Sequence, residues 1–219
     1  MRKNVLTLTI LAVAAAAVLA NSPIIPTPPW RGLEGTTFEE WQFGTATNPA
    51  APDVVNNPYG TPSAAIQLGD LAKGWVDASQ SAFGNRQGFW DLGSGGTISL
   101  TIPNRPVPLE YKEIWVAVTY FADIPRPPVV SVPNGTAYGG PIAPILLEAM
   151  PTGAEWYAEV TMWRIYPNPD QETILITADG QFGSMIDTVT VDTYCVPEPA
   201  TLALLALGGL GLIIRRKRS

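Results

Sequence analysis

The stretch Glu155–Ile165, EWYAEVTMWRI, sorts its side chains by twos. Trp156, Ala158, Val160 and Met162 fall on one side; Glu155, Tyr157, Glu159, Thr161 and Trp163 fall on the other. A period of two belongs to a strand, whose successive side chains point to opposite faces. Gly96–Ile102 (GTISLTI) repeats the pattern, with Ile98, Leu100 and Ile102 set against Thr97, Ser99 and Thr101, and Pro103-Asn104 stops it. Glu113–Phe121 (EIWVAVTYF) is β-branched and aromatic on both faces, which predicts a strand at the centre of a sheet.

Working outward, Thr36–Phe43, Val129–Val132, Glu172–Thr177 and Ile186–Tyr194 read as further strands. Asn134-Gly135 marks a tight turn, although Asn134-Gly-Thr136 also fits a glycosylation sequon. Leu68–Ala82 spaces Leu71, Trp75, Ala78 and Ala82 by three and four residues, which predicts at most a short helix, weakened by Gly69 and Gly74. With 22 prolines and 20 glycines as punctuation, seven to nine strands are expected. The fold class is therefore all-β, a single antiparallel β-sandwich of jelly-roll or immunoglobulin-like type over residues 36–195.

The two ends read differently. Arg2 and Lys3 precede an apolar run from Val5 to Leu19, and Val18-Leu19-Ala20 suits signal cleavage, so residues 1–20 form a signal helix that directs the chain to the Sec translocon. Residues 21–35, beginning NSPIIPTPPW, make a Pro-rich arm of extended, polyproline-like character. At the far end, Val196-Pro197-Glu198-Pro199 breaks regular structure, since neither proline has an amide hydrogen. Ala200–Ile214 is apolar and about 22 Å long as a helix, a marginal transmembrane span against a hydrocarbon core of about 30 Å. Arg215, Arg216, Lys217 and Arg218 act as a cytoplasmic stop that leaves the body outside.

Composition excludes several functions. Without histidine there is no Ser-His-Asp triad, no Cys-His pair and no imidazole zinc ligand. One cysteine, Cys195, excludes an internal disulfide and a cysteine metal cluster. Between Asn21 and Val196 stand 7 basic and 18 acidic residues, a net charge of −11 that repels nucleic acid and anionic lipid. Carboxylate catalysis survives, but Glu155 and Glu159 lie roughly 13 Å apart by strand rise, too far for a paired glycosidase mechanism. No enzyme activity is expected. Only Thr97-x-Ser99-x-Thr101 and Thr188-x-Thr190 resemble the regular arrays that ice binding needs.

The order of proline break, apolar segment and basic end in residues 196–219 resembles a PEP-CTERM sorting segment, with Pro197, Glu198 and Pro199 as its motif. The resemblance implies that an exosortase, a membrane cysteine transpeptidase, is the processing partner. It also implies a bacterium with a cell envelope, transient anchoring in the inner membrane through residues 200–214, and delivery to the cell surface or biofilm matrix. Ile186-Asp187-Thr-Val189-Thr-Val191 is similar to the closing strand of exported jelly-roll carbohydrate-binding domains, where the aspartate can ligate a structural calcium. By that resemblance Asp187 is the candidate metal ligand, pointing inward with Val189 and Val191, with Glu39 or Glu40 as a candidate partner. Otherwise no cofactor is expected.

For the body, the side of the strand bearing Glu155, Tyr157, Glu159 and Trp163 is the candidate sugar-facing surface, because rings stack on sugar C–H faces while carboxylates accept from hydroxyls. Trp75, Phe89 and Trp90 are candidate additions to that platform. The expected function is a non-catalytic domain associated with exopolysaccharide. The alternatives are a purely structural matrix protein without ligand and a simple tail-anchored envelope protein.

Overall fold

The computed structural model describes residues 24–78, 83–84, 86–107, 109–124, 126–150 and 153–196. The expected signal peptide over residues 1–20, the first three residues of the Pro-rich arm and the tail from Pro197 onward lie outside the described residues. Among the described residues thirteen strands run in the order β1 Thr36–Trp41, β2 Val54–Asn56, β3 Ser63–Gln67, β4 Gly74–Asp77, β5 Gly88–Asp91, β6 Thr97–Pro103, β7 Tyr111–Ala122, β8 Val129–Ser131, β9 Gly135–Ala137, β10 Ile142–Ala149, β11 Glu155–Ile165, β12 Gln171–Thr177 and β13 Met185–Val196. All pairings are antiparallel.

A nine-stranded sheet follows the order β10-β11-β7-β13-β1-β2, with β4 and β5 joined to the start of β13 and β9 to the end of β11. A four-stranded sheet, β3-β6-β12-β8, lies opposite it. β7, apolar on both sides, sits between β11 and β13 as its composition requires. Between the sheets, Ile114, Val116, Val118, Val189, Val191 and Trp41 pack against Ile98, Leu100, Ile102, Ile174 and Ile176, all essentially inaccessible to solvent. A chain of alternating strands gains its stability mainly by burying one face of each against the other sheet.

Register corrects the expected facing of β11. Tyr157, Glu159, Thr161 and Trp163 pair with Tyr120, Val118, Val116 and Ile114, the residues of β7 that enter the core. Directly paired residues share a face, so the Glu155/Tyr157/Glu159/Trp163 side is turned toward the sandwich interior and not away from it. Tyr157 and Trp163 are half-buried against the core, and the Tyr157 ring stacks on Tyr120 at 6.1 Å. Trp156, on the opposite side, enters a second cluster with Phe89, Phe121, Ala154 and Met185 that seals the outer face of the large sheet.

The helix expected over Leu68–Ala82 does not form among the described residues; β4 occupies its middle. Leu71 (φ +61°) and Gly74 (φ +78°) adopt left-handed backbone that a right-handed helix cannot contain. Trp75 and Trp90 pack on the main core and Phe89 in the second cluster, so these rings brace the sheet and form no open platform. Asn134, at φ +63°, does make the turn read from sequence, with the Gly135 amide donating to the Val132 carbonyl at 2.8 Å.

From residue 24 the Pro-rich arm lies on the outer face of the large sheet rather than standing apart. Trp30 is buried, stacked on Tyr194 at 5.6 Å and set edge-on to Trp115 at 6.5 Å. Arg31 grips Asp192 of β13 through two parallel contacts of 2.5 Å each and lies over the Phe38 ring. A bidentate pair of this kind fixes geometry as well as charge.

Candidate ligand clefts and the sorting segment

The arm turns the outer face into a cleft. Across one ladder row stand Val160, Ala117, Thr190 and Glu40; the next carries Trp115 and Asp192. Ile25, Pro26, Thr27 and Arg31 roof them, enclosing about 180 Å³. Glu40 also borders a second cleft of about 210 Å³, lined by Gln42, Arg86, Gln87, Asp187 and Thr188. Together the two are lined by the Glu40 carboxylate, guanidiniums, amides and threonine hydroxyls, while Asp187 and Asp192 lie buried beneath, paired with Arg86 and Arg31. Burial raises the Asp192 carboxyl above its usual range while Arg31 draws it back.

Asp187 departs from the expected inward position. The β13–β7 register shifts between Ile186 and Thr188, so Ile186 faces the core while Thr188 pairs with Thr119 on the outer side. A bulge re-aims the side chain it carries. Asp187 therefore meets Arg86 at 2.9 Å and the Thr188 hydroxyl at 2.9 Å, and lines the same cleft as Glu40. Its pKa is raised by burial and lowered in part by Arg86. Arg86 also reaches Glu148 at 3.5 Å and covers the Trp156 ring at 4.7 Å. The carboxylate that resembles a calcium ligand thus has a guanidinium as its counter-charge, and no group of three or more metal-ligating residues exists among the described residues. Glu39, the other candidate partner, points to the opposite face, opposite Val191.

A second polar assembly lies between the sheets, at the end where β13 leaves the domain. It comprises Glu39, Asn104, Lys112, Glu172 and Cys195, all buried. Lys112 Nζ donates to Asn104 Oδ1 and to Cys195 Sγ at 3.3 Å, and lies 3.7 Å from Glu172 Oε1. Glu39 accepts from Asn57 at 2.9 Å and from the Thr37 hydroxyl at 3.4 Å. Desolvation pushes Glu39 up to about 8 and Glu172 up to about 7, against the partial opposition of Lys112 in each case. Cys195, two residues before the proline motif, is an enclosed thiol held by a lysine.

Sequence reading passed over Asn104, Lys112 and Glu172, and over Arg31, Arg86 and Asp192. A signal for Glu172 existed, since it falls on the same strand face as Ile174 and Ile176; Glu39 likewise alternates with Thr37 and Trp41. Nothing local announces Arg31 or Arg86, whose partners lie 161 and 101 residues away.

β13 stays paired through Val196, opposite Tyr111, and the Cys195 amide donates to the Gly35 carbonyl. Pairing of β13 thus reaches the last described residue before Pro197. Residues 196–218 match the family model of the PEP-CTERM protein-sorting motif. The protein is accordingly exported, sorted by an exosortase through its PEP-CTERM motif and processed at the membrane. No curated protein and no solved structure matches the chain. The motif residues Pro197, Glu198 and Pro199, the apolar stretch 200–214 and the basic end Arg215–Arg218 lie outside the described residues. Among the described residues no helix is long and apolar enough to cross a membrane.

Proposed function

We propose that the exported body is a non-catalytic module that associates with exopolysaccharide through the two clefts on the outer face of its large sheet. The observation that carries this reading is the convergence of Glu40, Arg31, Arg86, Thr188 and Thr190 on two neighbouring clefts beside Trp115, with the buried Asp187 and Asp192 holding the two arginines from beneath. Hydroxyl-rich chains are held by such mixed donors and acceptors, with an aromatic edge to orient a ring. The reading moves the sugar-facing surface from the Glu155/Tyr157/Glu159/Trp163 side, which is turned inward, to the face that the arm partly roofs. A non-catalytic role is favoured because the two carboxyls pushed highest by burial, Glu39 and Glu172, are sealed from any polymer.

Location at the cell surface or in a biofilm matrix belongs to the same proposal, and so does passage through the Sec translocon. Affinity electrophoresis and calorimetry with the producer's own matrix polysaccharide test it. Binding that weakens at least tenfold in Glu40→Gln and Thr190→Val supports the clefts. Binding unchanged in both variants rejects these clefts as the site. No binding across neutral and acidic polysaccharides leaves a purely structural matrix domain as the better account.

A further inference from the structure

We propose that Lys112 and Asn104 condense into an intramolecular amide that ties the two sheets together, with Glu172 as the proton-transferring group. Asn104 follows β6 of the small sheet, Lys112 lies in β7 of the large sheet, and Glu172 lies in β12, directly opposite Ile102. Their relative exposures are 3%, 0% and 1%, so the three meet in a site closed to water. Lys112 Nζ is in hydrogen-bond contact with the Asn104 side-chain carbonyl oxygen, which holds the amine beside the group it would attack. The Asn104 amide nitrogen is held by the Pro169 carbonyl at 2.9 Å, and its backbone amide by the Asp170 carbonyl at 2.9 Å. Neither oxygen of Glu172 makes a hydrogen bond of ordinary length; its buried counter-charge is Lys112 Nζ, 3.7 Å from Oε1, the distance over which a proton is to pass.

The step balances without a co-reactant. The Lys112 ammonium gives a proton to the Glu172 carboxylate, and the free amine attacks Asn104 Cγ. The Glu172 acid hydrogen-bonds the developing oxyanion and passes its proton to the departing amide nitrogen. The Cγ–Nδ2 bond breaks and ammonia leaves. The second Lys112 proton returns to Glu172, so the neutral Lys112/Glu172/Asn104 set yields an amide, ammonia and a neutral Glu172. Held contact replaces a bimolecular encounter, and exclusion of water suppresses simple deamidation of Asn104. Glu172, with its pKa pushed up to about 7, exchanges a proton readily near neutrality. A chain with a single cysteine has no internal disulfide, and this bond would be its covalent staple.

Peptide mapping of the full chain, recovered from producing cells, tests the proposal. Glutamate-specific cleavage cuts the backbone after Glu110, between Asn104 and Lys112, and after Glu113. The expected result is that Tyr111-Lys112-Glu113 remains joined to the peptide ending in Glu110, at a summed mass lower by one ammonia. In Glu172→Gln and in Lys112→Arg the two peptides should separate. Separate peptides of full mass from the wild-type protein overturn the bond, with no variant needed. Joined peptides in Glu172→Gln overturn the role given to Glu172.

Discussion

Glu39→Gln should raise stability at neutral and alkaline pH and leave it unchanged in acid. Glu39 is fully enclosed, and burial lifts its carboxyl from 4.5 to about 8. In the unfolded chain it ionises near 4.5, whereas in the folded protein it stays protonated until about pH 8. Between those values the folded state binds one more proton than the unfolded state, so stability falls by about 1.4 kcal/mol per pH unit. The contribution is complete below pH 4.5 and is lost as pH rises through 8. At pH 7 the accumulated loss is about 3 kcal/mol. Glutamine reproduces the protonated carboxyl: its oxygen still accepts from Asn57 and its amide faces the Thr37 hydroxyl. Urea denaturation followed by tryptophan fluorescence at pH 4, 5.5, 7 and 8 measures the difference. The gain in Glu39→Gln should be absent at pH 4 and grow with pH. Glu172, raised to about 7, leaves a shallower decline of the same sign in the variant. A difference independent of pH, or largest in acid, would refute this account of the cluster.

Arg31→Met should strand the buried Asp192 carboxylate and loosen the arm, costing about 3 kcal/mol and exposing residues 24–35 to limited proteolysis. Trp156→Ala removes an inaccessible ring packed on Phe89 and Phe121, and should cost about 3–5 kcal/mol in denaturant titration. Gly183→Ala forces a side chain onto backbone at φ +74°, with its Cβ 2.8 Å from the Gly93 carbonyl carbon; a drop in stability of more than about 1 kcal/mol is expected. Changing Pro197, Glu198 and Pro199 together to alanine should leave an unprocessed chain whose intact C-terminus at Ser219 is detectable by mass spectrometry.

Seven strands are legible in the chain, some from clean alternation, as in β6, where Ile98, Leu100 and Ile102 are buried and Thr97, Ser99 and Thr101 are not, and others, such as β7, from continuous β-branched and aromatic runs. The strands that escaped reading have less to show. β2 is three exposed residues, and β10 carries Pro144 and two register shifts. β4 hides under a three-and-four spacing that its own left-handed turns contradict. The facing of β11 was ambiguous because both sides bear a tryptophan, and only pairing with β7 decides it. The bulge that turns Asp187 outward belongs to the β13–β7 ladder, not to any local residue pattern. The clefts depend on an arm and a sheet joined by pairs more than 100 residues apart, which no local pattern encodes. The sorting segment is the reverse case, since its meaning lies in a contiguous order of residues.

β13 is twelve residues long, lies inside its sheet with β7 on one side and β1 on the other, and runs into the sorting motif without a spacer. Whatever holds the chain beyond Val196 therefore pulls on an interior strand. Its antiparallel hydrogen bonds stand perpendicular to that pull. A tug along the strand loads both ladders in shear, many bonds together, whereas an edge strand peeled sideways would surrender them one by one. A pull on the chain beyond Val196 therefore meets more resistance through β13 than the same pull would through an edge strand such as β2.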